Sequence, residues 1–485
     1  MLLLDREEQR HDDQDPMISL ETTASLVTTL RHRVDGDVLE PGDPGFAEAG
    51  RPWNLAFHHA PAVIVVADDV GDVIAAVTFA AAVGRGLGVQ CSGHGVTACV
   101  DGVLLVTDRL DDVEIDVEAR TAWVGAGCSA ATVLAAAAAH GLAPLVGSSP
   151  SVGMVGYTLG GGLGWLARRF GPACDAVRSF EVVTPDGELV RAGHDEHPEL
   201  FRALRGGGGC AGVVTEMEIE LFPVADVYAG NLYYPAAMAA EIVARWATWV
   251  RDVPDELTSA VVLANLPDAP GLDDAVRGRS MTVVRGCWCG PSDAGRELLD
   301  TWRAIAPPDV DEWSVMPFAD AATISRDPAD PTPIVGTGGW LEDLDEPAGA
   351  EVGAVLAAAT FGDGARGDAA PPLLFSQIRH VGGAVARGDR DHSSMGNRDR
   401  QFLLQLVGSG PTSAAAATVA AHQRSTSARL GHHLSKRTFV NVLDGEQRRH
   451  CAKDALDPDG REAIARARAL HDPADVLRFG IDHAD

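Results

Sequence analysis

The 485-residue chain carries 69 acidic against 39 basic residues, a net charge of −30, and only two of its cations, Lys436 and Lys453, are lysines. Such a field repels phosphate backbones and anionic bilayers, which excludes nucleic acid and membrane surfaces as partners. A hydrophobic content of 46% with 22% charged residues is that of a globular protein long enough for two or three domains. No run approaches the ~18 apolar residues of a membrane span. Residues 1–23 lack the basic start and apolar core of a secretory signal and are expected to form a disordered acidic tail. Eight cysteines without framework spacing suit reduced thiols, and therefore a cytoplasmic protein.

In chain order, 62–67 is a continuous apolar run with the length and branching of a buried strand, and 70–83 has alanine-rich helical spacing closed by Gly84. A second strand, 87–90, delivers Cys91-Ser92-Gly93-His94-Gly95-Val96, a glycine-flanked loop of the kind that holds phosphate. Strands follow at 102–107, 113–117 and 121–124, the last two as a hairpin. Gly125-Ala-Gly127-Cys-Ser-Ala130 then opens a helix and matches a dinucleotide fingerprint. A ribose-binding carboxylate should follow about 20 residues later, but the next acid is Asp175, and the preceding strand belongs to a hairpin. NAD binding is rejected there.

Between Val146 and Trp165 the residues Gly153, Gly156, Gly160, Gly161, Gly162 and Gly164 alternate with apolar side chains. Each glycine within a regular element costs roughly 1 kcal/mol against alanine. A packed loop that tolerates them gains close approach, and the expectation is backbone amides wrapped around a ligand. Strands 179–184 and 189–192, a helix 198–204, a further glycine run from Arg205 and a strand 216–222 complete this lobe. From 225 to about 430 amphipathic helices (235–250, 292–305) alternate with strands (260–264, 281–289, 373–380, 402–407) between proline-rich loops. The tail returns with a strand at its start and a helix at 461–471.

Walker glycines, a nucleophile elbow and a zinc-protease histidine pair are all absent. His58-His59 and His432-His433 show no cysteine or carboxylate around them in sequence, so no metal is expected. What remains is three glycine-lined loops, around His94, Gly160 and Gly207, enough backbone surface for a cofactor longer than a mononucleotide.

Ser92-Gly-His94, the run Val152-Gly-x-x-Gly156-x-Thr-Leu-Gly-Gly-Gly162-x-Gly164, and His197-Pro through Arg205, Gly209 and Thr215 occur together. So do Gln377-Ile-Arg-His380, Asn397-Arg-Asp399 and Phe439-Val-Asn441. With these motifs the chain resembles the berberine-bridge-enzyme-like branch of the vanillyl-alcohol-oxidase/p-cresol-methylhydroxylase (PCMH) flavoproteins. The resemblance implies an α+β, two-lobed PCMH-type FAD-binding fold with a separate α+β substrate lobe, an antiparallel sheet covered by helices. It places the FAD-binding domain at 24–225, the substrate domain at 226–430 and a segment completing the first lobe at 431–485.

The resemblance further implies FAD held by Cys91, Ser92, Gly93, His94, Gly95, Ser149, Val152, Gly153, Gly156, Tyr157, Gly160, Gly161, Gly162, Gly164, Gly212, Val213 and Asn441. His94 matches the histidine joined to the flavin 8α-methyl group; the plainer alternative is a histidine that packs beside the diphosphate. Ser149 stands where many relatives carry a second, cysteine link, so one covalent bond is the most that can form. The tyrosine often used as a base is Phe439, which cannot take a proton. His380 is the first candidate base, since its ordinary pKa lies near neutrality, Tyr157 the second, and Gln405 stands where a catalytic acid is placed in relatives. The implied reaction is hydride transfer from a C–H beside an O–H or N–H of a small secondary-metabolite or sugar-like substrate to the flavin, with oxygen as reoxidant. The alternative is a flavin-fold protein that binds a small molecule, or guides a redox-neutral cyclisation, without net oxidation. A monomer or homodimer is expected.

Overall fold

The structure, a computed structural model, describes residues 20–270, 272–362, 373–389 and 391–483, with side chains from residue 25 onward. The expected tail lies outside the described residues up to residue 19, and its end, 20–23, opens the helix Leu20–Arg31. The proline pair at 371–372 also lies outside them.

Two sheets build the first lobe. Strands β1 (Asp37–Leu39), β2 (Val63–Val66), β3 (Leu87–Gln90) and β4 (Val103–Val106) form one in the order β1-β2-β4-β3. Its β2-β4-β3 core is parallel, and β2 and β4 are buried at every position, which is why they read as unbroken apolar runs. The crossover helix between β2 and β3, Val70–Ala82, starts where the Asp69 carboxylate accepts the Asp72 N–H at 3.0 Å. Strands β5 (Val113–Asp116), β6 (Thr121–Gly125), β7 (Val177–Val183), β8 (Leu189–Gly193) and β9 (Val213–Glu220) form the second sheet, wholly antiparallel, in the order β5-β6-β9-β7-β8. Gly125 thus ends a strand flanked on both sides by antiparallel partners, not the βαβ crossover that a dinucleotide fingerprint needs.

The chain changes layer between Glu220 and Asp226. Strands β10 (Asp226–Pro235), β11 (Leu257–Asn265), β12 (Ser280–Trp288), β13 (Val310–Asp311), β14 (Ser314–Pro317), β15 (Ile334–Leu341), β16 (Leu373–His380) and β17 (Phe402–Ser409) form an antiparallel sheet in the order β13-β10-β12-β11-β16-β17-β15, with β14 also on β10. One face carries Val261, Leu263, Ile378, Phe402 and Leu404 into a core with Trp246, Val352, Leu356 and Val419 of the covering helices. The helix Glu346–Phe361 has no polar stripe by which sequence could announce it. Its Gly349 and Gly353 lie so close to the helix Ala239–Trp249 that a Cβ would come within 2.9 and 2.8 Å of Ala244 Cα and Ala240 Cα.

The last segment crosses back onto the first lobe. Leu87 N–H donates to Val476 O at 2.7 Å, and Ile464 of the helix Pro458–His471 shares a core with Leu200 and Phe201. The strand expected at the start of this tail is instead a short 3₁₀ turn, Val440–Val442, which brings Asn441 back onto the glycine-rich segment.

Candidate functional site

A cavity of about 440 Å³ lies where the two sheets of the first lobe, the β16-β17-β15 edge and the returning tail meet, within the size range of small-molecule sites. The loop after β3 forms one wall. At Gly93 φ is +72° and a Cβ would stand 2.6 Å from Pro52, so only glycine fits. Among the described residues the successive N–H groups of Gly93, His94, Gly95 and Val96 meet no protein acceptor. A run of unpaired amides on a cavity wall suits an anionic group, and the buried guanidinium of Arg448 stands 3.1 Å from where a Gly95 Cβ would lie.

His94 is held as a plate. Its ring stacks on Trp53 at 4.0 Å, Nδ1 lies 2.9 Å from Ser92 Oγ and Nε2 lies 3.3 Å from Ser151 Oγ. Ser92 Oγ also accepts the Gly153 N–H at 3.1 Å, which ties this loop to the glycine-rich segment. Burial lowers the His94 pKa to about 4, so the imidazole is neutral at pH 7 and keeps a lone pair on one nitrogen.

Of the residues assigned to the cofactor from sequence, Cys91, Ser92, Gly93, His94, Gly95, Ser149, Val152, Gly153, Gly156, Tyr157, Gly212, Val213 and Asn441 line this cavity. At Gly156 a Cβ would meet no protein atom, so the missing side chain leaves room in the cavity itself. Gly160, Gly161, Gly162 and Gly164 do not line it, which corrects the reading of that run as a ligand cradle. A Cβ at Gly160 would lie 1.9 Å from Asn441 Oδ1, at Gly161 3.0 Å from Phe439, at Gly162 2.6 Å from Ala173, and at Gly164 1.9 Å from Val146 O. These glycines admit the chain's own tail and neighbouring loops. Asn441 Nδ2 donates to Tyr157 O at 2.9 Å, the contact that this close approach allows.

The candidate bases are placed differently from expectation. His380 is on the far face of β16, stacked on Phe402 at 5.7 Å and 3.1 Å from Arg168 Nη1, away from the cavity. Burial and the Arg168 charge hold its pKa well below the ordinary value, so it is a neutral core histidine. Side chains alternate along a strand, and its neighbours Gln377 and Arg379 take the cavity face. Tyr157 does line the cavity, yet burial pushes its pKa upward and makes it a worse base than a free tyrosine. Its hydroxyl has no partner among the described residues. Gln405 lies on β17 opposite Gln377, both on the cavity wall.

Sequence reasoning missed Asp444, the one carboxyl group among the lining residues. Burial raises its pKa to about 6, against the Gly336 N–H donated to Oδ2 at 2.9 Å, which acts the other way. Trp53, Arg379 and Arg448 were also missed. At the surface, Glu351 Oε2 meets His433 Nε2 at 2.9 Å beside His432, a carboxylate that sequence could not place near the histidine pair.

A parallel-core sheet joined to an antiparallel one, with unpaired amides and Gly156 facing a shared cavity, defines a protein that binds a long anionic cofactor. Residues 61–193 match the model of the FAD binding domain family. Over 285 residues the chain is 32% identical to (R)-6-hydroxynicotine oxidase of Paenarthrobacter nicotinovorans, which covers 57% of this chain and 59% of that protein. Over 297 residues it is 27% identical to an FAD-linked oxidoreductase of Dictyostelium discoideum, covering 60% and 63%. The matched stretches thus span about three-fifths of the length of these curated relatives. The fold is that of 6-hydroxy-D-nicotine oxidase from Arthrobacter nicotinovorans (TM-score 0.77, 21% identity, 93% of this chain and 98% of that one). It is also that of the Physcomitrella patens BBE-like 1 protein (TM-score 0.80, 19% identity, 95% and 99%). The chain thus carries an FAD binding domain over residues 61–193 and has the fold of a BBE-like protein, and FAD is the cofactor its residues fit.

Proposed function

We propose that the protein is an FAD-dependent oxidoreductase that takes hydride from a C–H beside an O–H or N–H of a small organic substrate, with oxygen as reoxidant. The observation that carries this reading is the wall of unpaired amides at Gly93–Val96 and the open space at Gly156 on one cavity. The relatives named as FAD-linked oxidoreductase and oxidase support the reaction class. Bound there, the flavin supplies the hydride acceptor. The chain's residues supply the rest: the free amides and Arg448 hold anionic groups, Gln377 and Gln405 present amides from the sheet, and apolar Val155, Leu163, Leu403 and Phe439 exclude water.

His94, neutral and fixed by Trp53, Ser92 and Ser151, is the tether to the flavin methyl group. With Ser149 on the same wall in place of a thiol, it is the single tether. Asp444 is the proton acceptor, since a carboxyl poised at about pH 6 is ionised yet basic enough at neutral pH. With kcat/KM depending on its ionised form, activity rises as pH climbs through about 6 and is flat above.

Acid precipitation of the purified protein tests the reading. The yellow colour is expected in the pellet for the wild type and in the supernatant for His94→Ala; a colourless protein that FAD does not reconstitute overturns it. Phe439, in place of a proton-taking tyrosine, favours the redox-neutral alternative to the extent that Asp444 is not the base. Substrate-dependent bleaching of the flavin spectrum separates the two.

A further inference from the structure

The sheet wall of the cavity holds positive charge that the protein leaves unbalanced. Arg285 on β12 and Arg379 on β16 both pair with Ala260 of the intervening β11, so they stand in one cross-strand row on one face. Among the described residues neither guanidinium has a carboxylate within ion-pair distance. Arg285 donates from Nη2 to Gln377 Oε1 at 2.5 Å and from Nη1 to Ser325 O at 3.1 Å. Arg379 donates from Nη1 to Leu163 O and lies 5.4 Å over the Trp165 ring. Asp327 acts on both at longer range, but its Oδ2 accepts from Ser148 Oγ at 2.7 Å. Arg379 reaches the cavity directly, and Arg285 reaches it through Gln377.

Buried guanidinium groups are ordinarily paired, because desolvation of an uncompensated charge is costly. Here burial lowers the pKa of both, and the Arg379 charge lowers that of Arg285 further. Arg379 Nε and Nη2 donate to no protein acceptor among the described residues, and Leu163, Leu403 and Val155 line the same cavity. A planar fork with a free N–H pair on an apolar wall matches a carboxylate attached to a hydrocarbon or aromatic body. It does not match a neutral sugar, whose hydroxyls need many polar partners.

We infer that Arg379, with Arg285 behind it through Gln377, binds the carboxylate of an apolar, aromatic-type acid as the substrate of this cavity. The inference rests on the oxidoreductase reading above and adds the substrate class to it. Arg379 positions that acid by its anionic end, and the rest of the molecule lies along the apolar wall.

The test titrates the purified, FAD-loaded protein with benzoate and with the neutral isostere benzamide at fixed ionic strength. The readouts are perturbation of the flavin's visible spectrum and the melting temperature. A hydrogen-bonded charge pair is worth enough to make benzoate saturate at a concentration at least about tenfold below benzamide. Arg379→Gln is expected to erase that preference, and Arg379→Lys, which keeps the charge without the fork, to keep part of it. Equal responses of the wild type to benzoate and benzamide overturn the inference, and need no variant to fold. A preference that survives in Arg379→Gln overturns it too. The spectrum before any addition shows whether flavin is present, so its absence counts against the cofactor reading, while the melting-temperature arm still reads the anion preference.

Discussion

Two groups of enclosed arginines in this protein behave in opposite ways. Arg398 grips both oxygens of Asp175 at 2.6 Å, and Arg205 donates to Cys174 O at 2.7 Å and to Asp389 at 3.2 Å. All of that charge is answered by carboxylates across the junction of the first lobe with the loop beyond β16. Arg285 is buried and Arg379 half-buried, yet their hydrogen bonds and ring contact go to carbonyls, an amide and an indole face. The difference separates architecture from recognition. A buried charge with its counterion inside the chain holds the fold, and one without is held by the fold for something else.

Breaking the paired group has the largest expected effect. Arg398→Ala leaves Asp175 with only the longer Arg205 ion pair at 3.7 Å and is expected to cost roughly 3 kcal/mol in chemical denaturation. If it costs no more than a surface substitution, the contrast fails.

Asp444 is the acidic counterpart of the unanswered group. Its pKa is raised from 3.8 to about 6, so the native state binds this proton more tightly than the unfolded chain. Stability from this group is therefore full below about pH 4 and is lost as pH rises to about 6. Asp444→Asn, which keeps an acceptor for Gly336 N–H, is expected to raise stability at pH 7 by about 3 kcal/mol. The advantage over wild type should close below pH 4, and kcat should fall in the same variant. A variant equally stable at both pH values removes Asp444 from the contrast.

The smallest effect is expected where an unanswered cation is replaced by a similar apolar volume. Arg379→Met is expected to change unfolding free energy by less than about 1 kcal/mol, because lost hydrogen bonds and relieved desolvation offset each other. A loss as large as that of Arg398→Ala would make Arg379 a structural residue.

The bounds of β16 are legible in the sequence, but not its two faces. Leu-Leu-Phe-Ser-Gln-Ile-Arg-His buries polar groups on both sides, Ser376 with Thr360 on one and Gln377 with Arg285 on the other. Alternation alone therefore cannot tell His380 from Arg379, and a shift of one residue exchanges the base for the cation. Glycines are a second case. Their density announces close approach without naming the visitor, and at Gly160 the visitor is Asn441, distant in sequence. The His94 loop was legible because short-range features define it: a strand, a left-handed glycine and a histidine. Asp444 was not, since its role depends on Gly336 and Arg448 meeting it from elsewhere.

The returning tail has a consequence for synthesis. Asn441 seats the glycine segment, Val476 extends β3, and Phe479 and Gly480 line the cofactor cavity. A ribosome delivers β1 to β9 long before these residues, so the first-made lobe waits, one wall missing, while the whole central sheet is translated. Coenzyme capture then belongs to the released polypeptide, and any nascent chain halted before residue 437 should emerge colourless however well its early strands have paired.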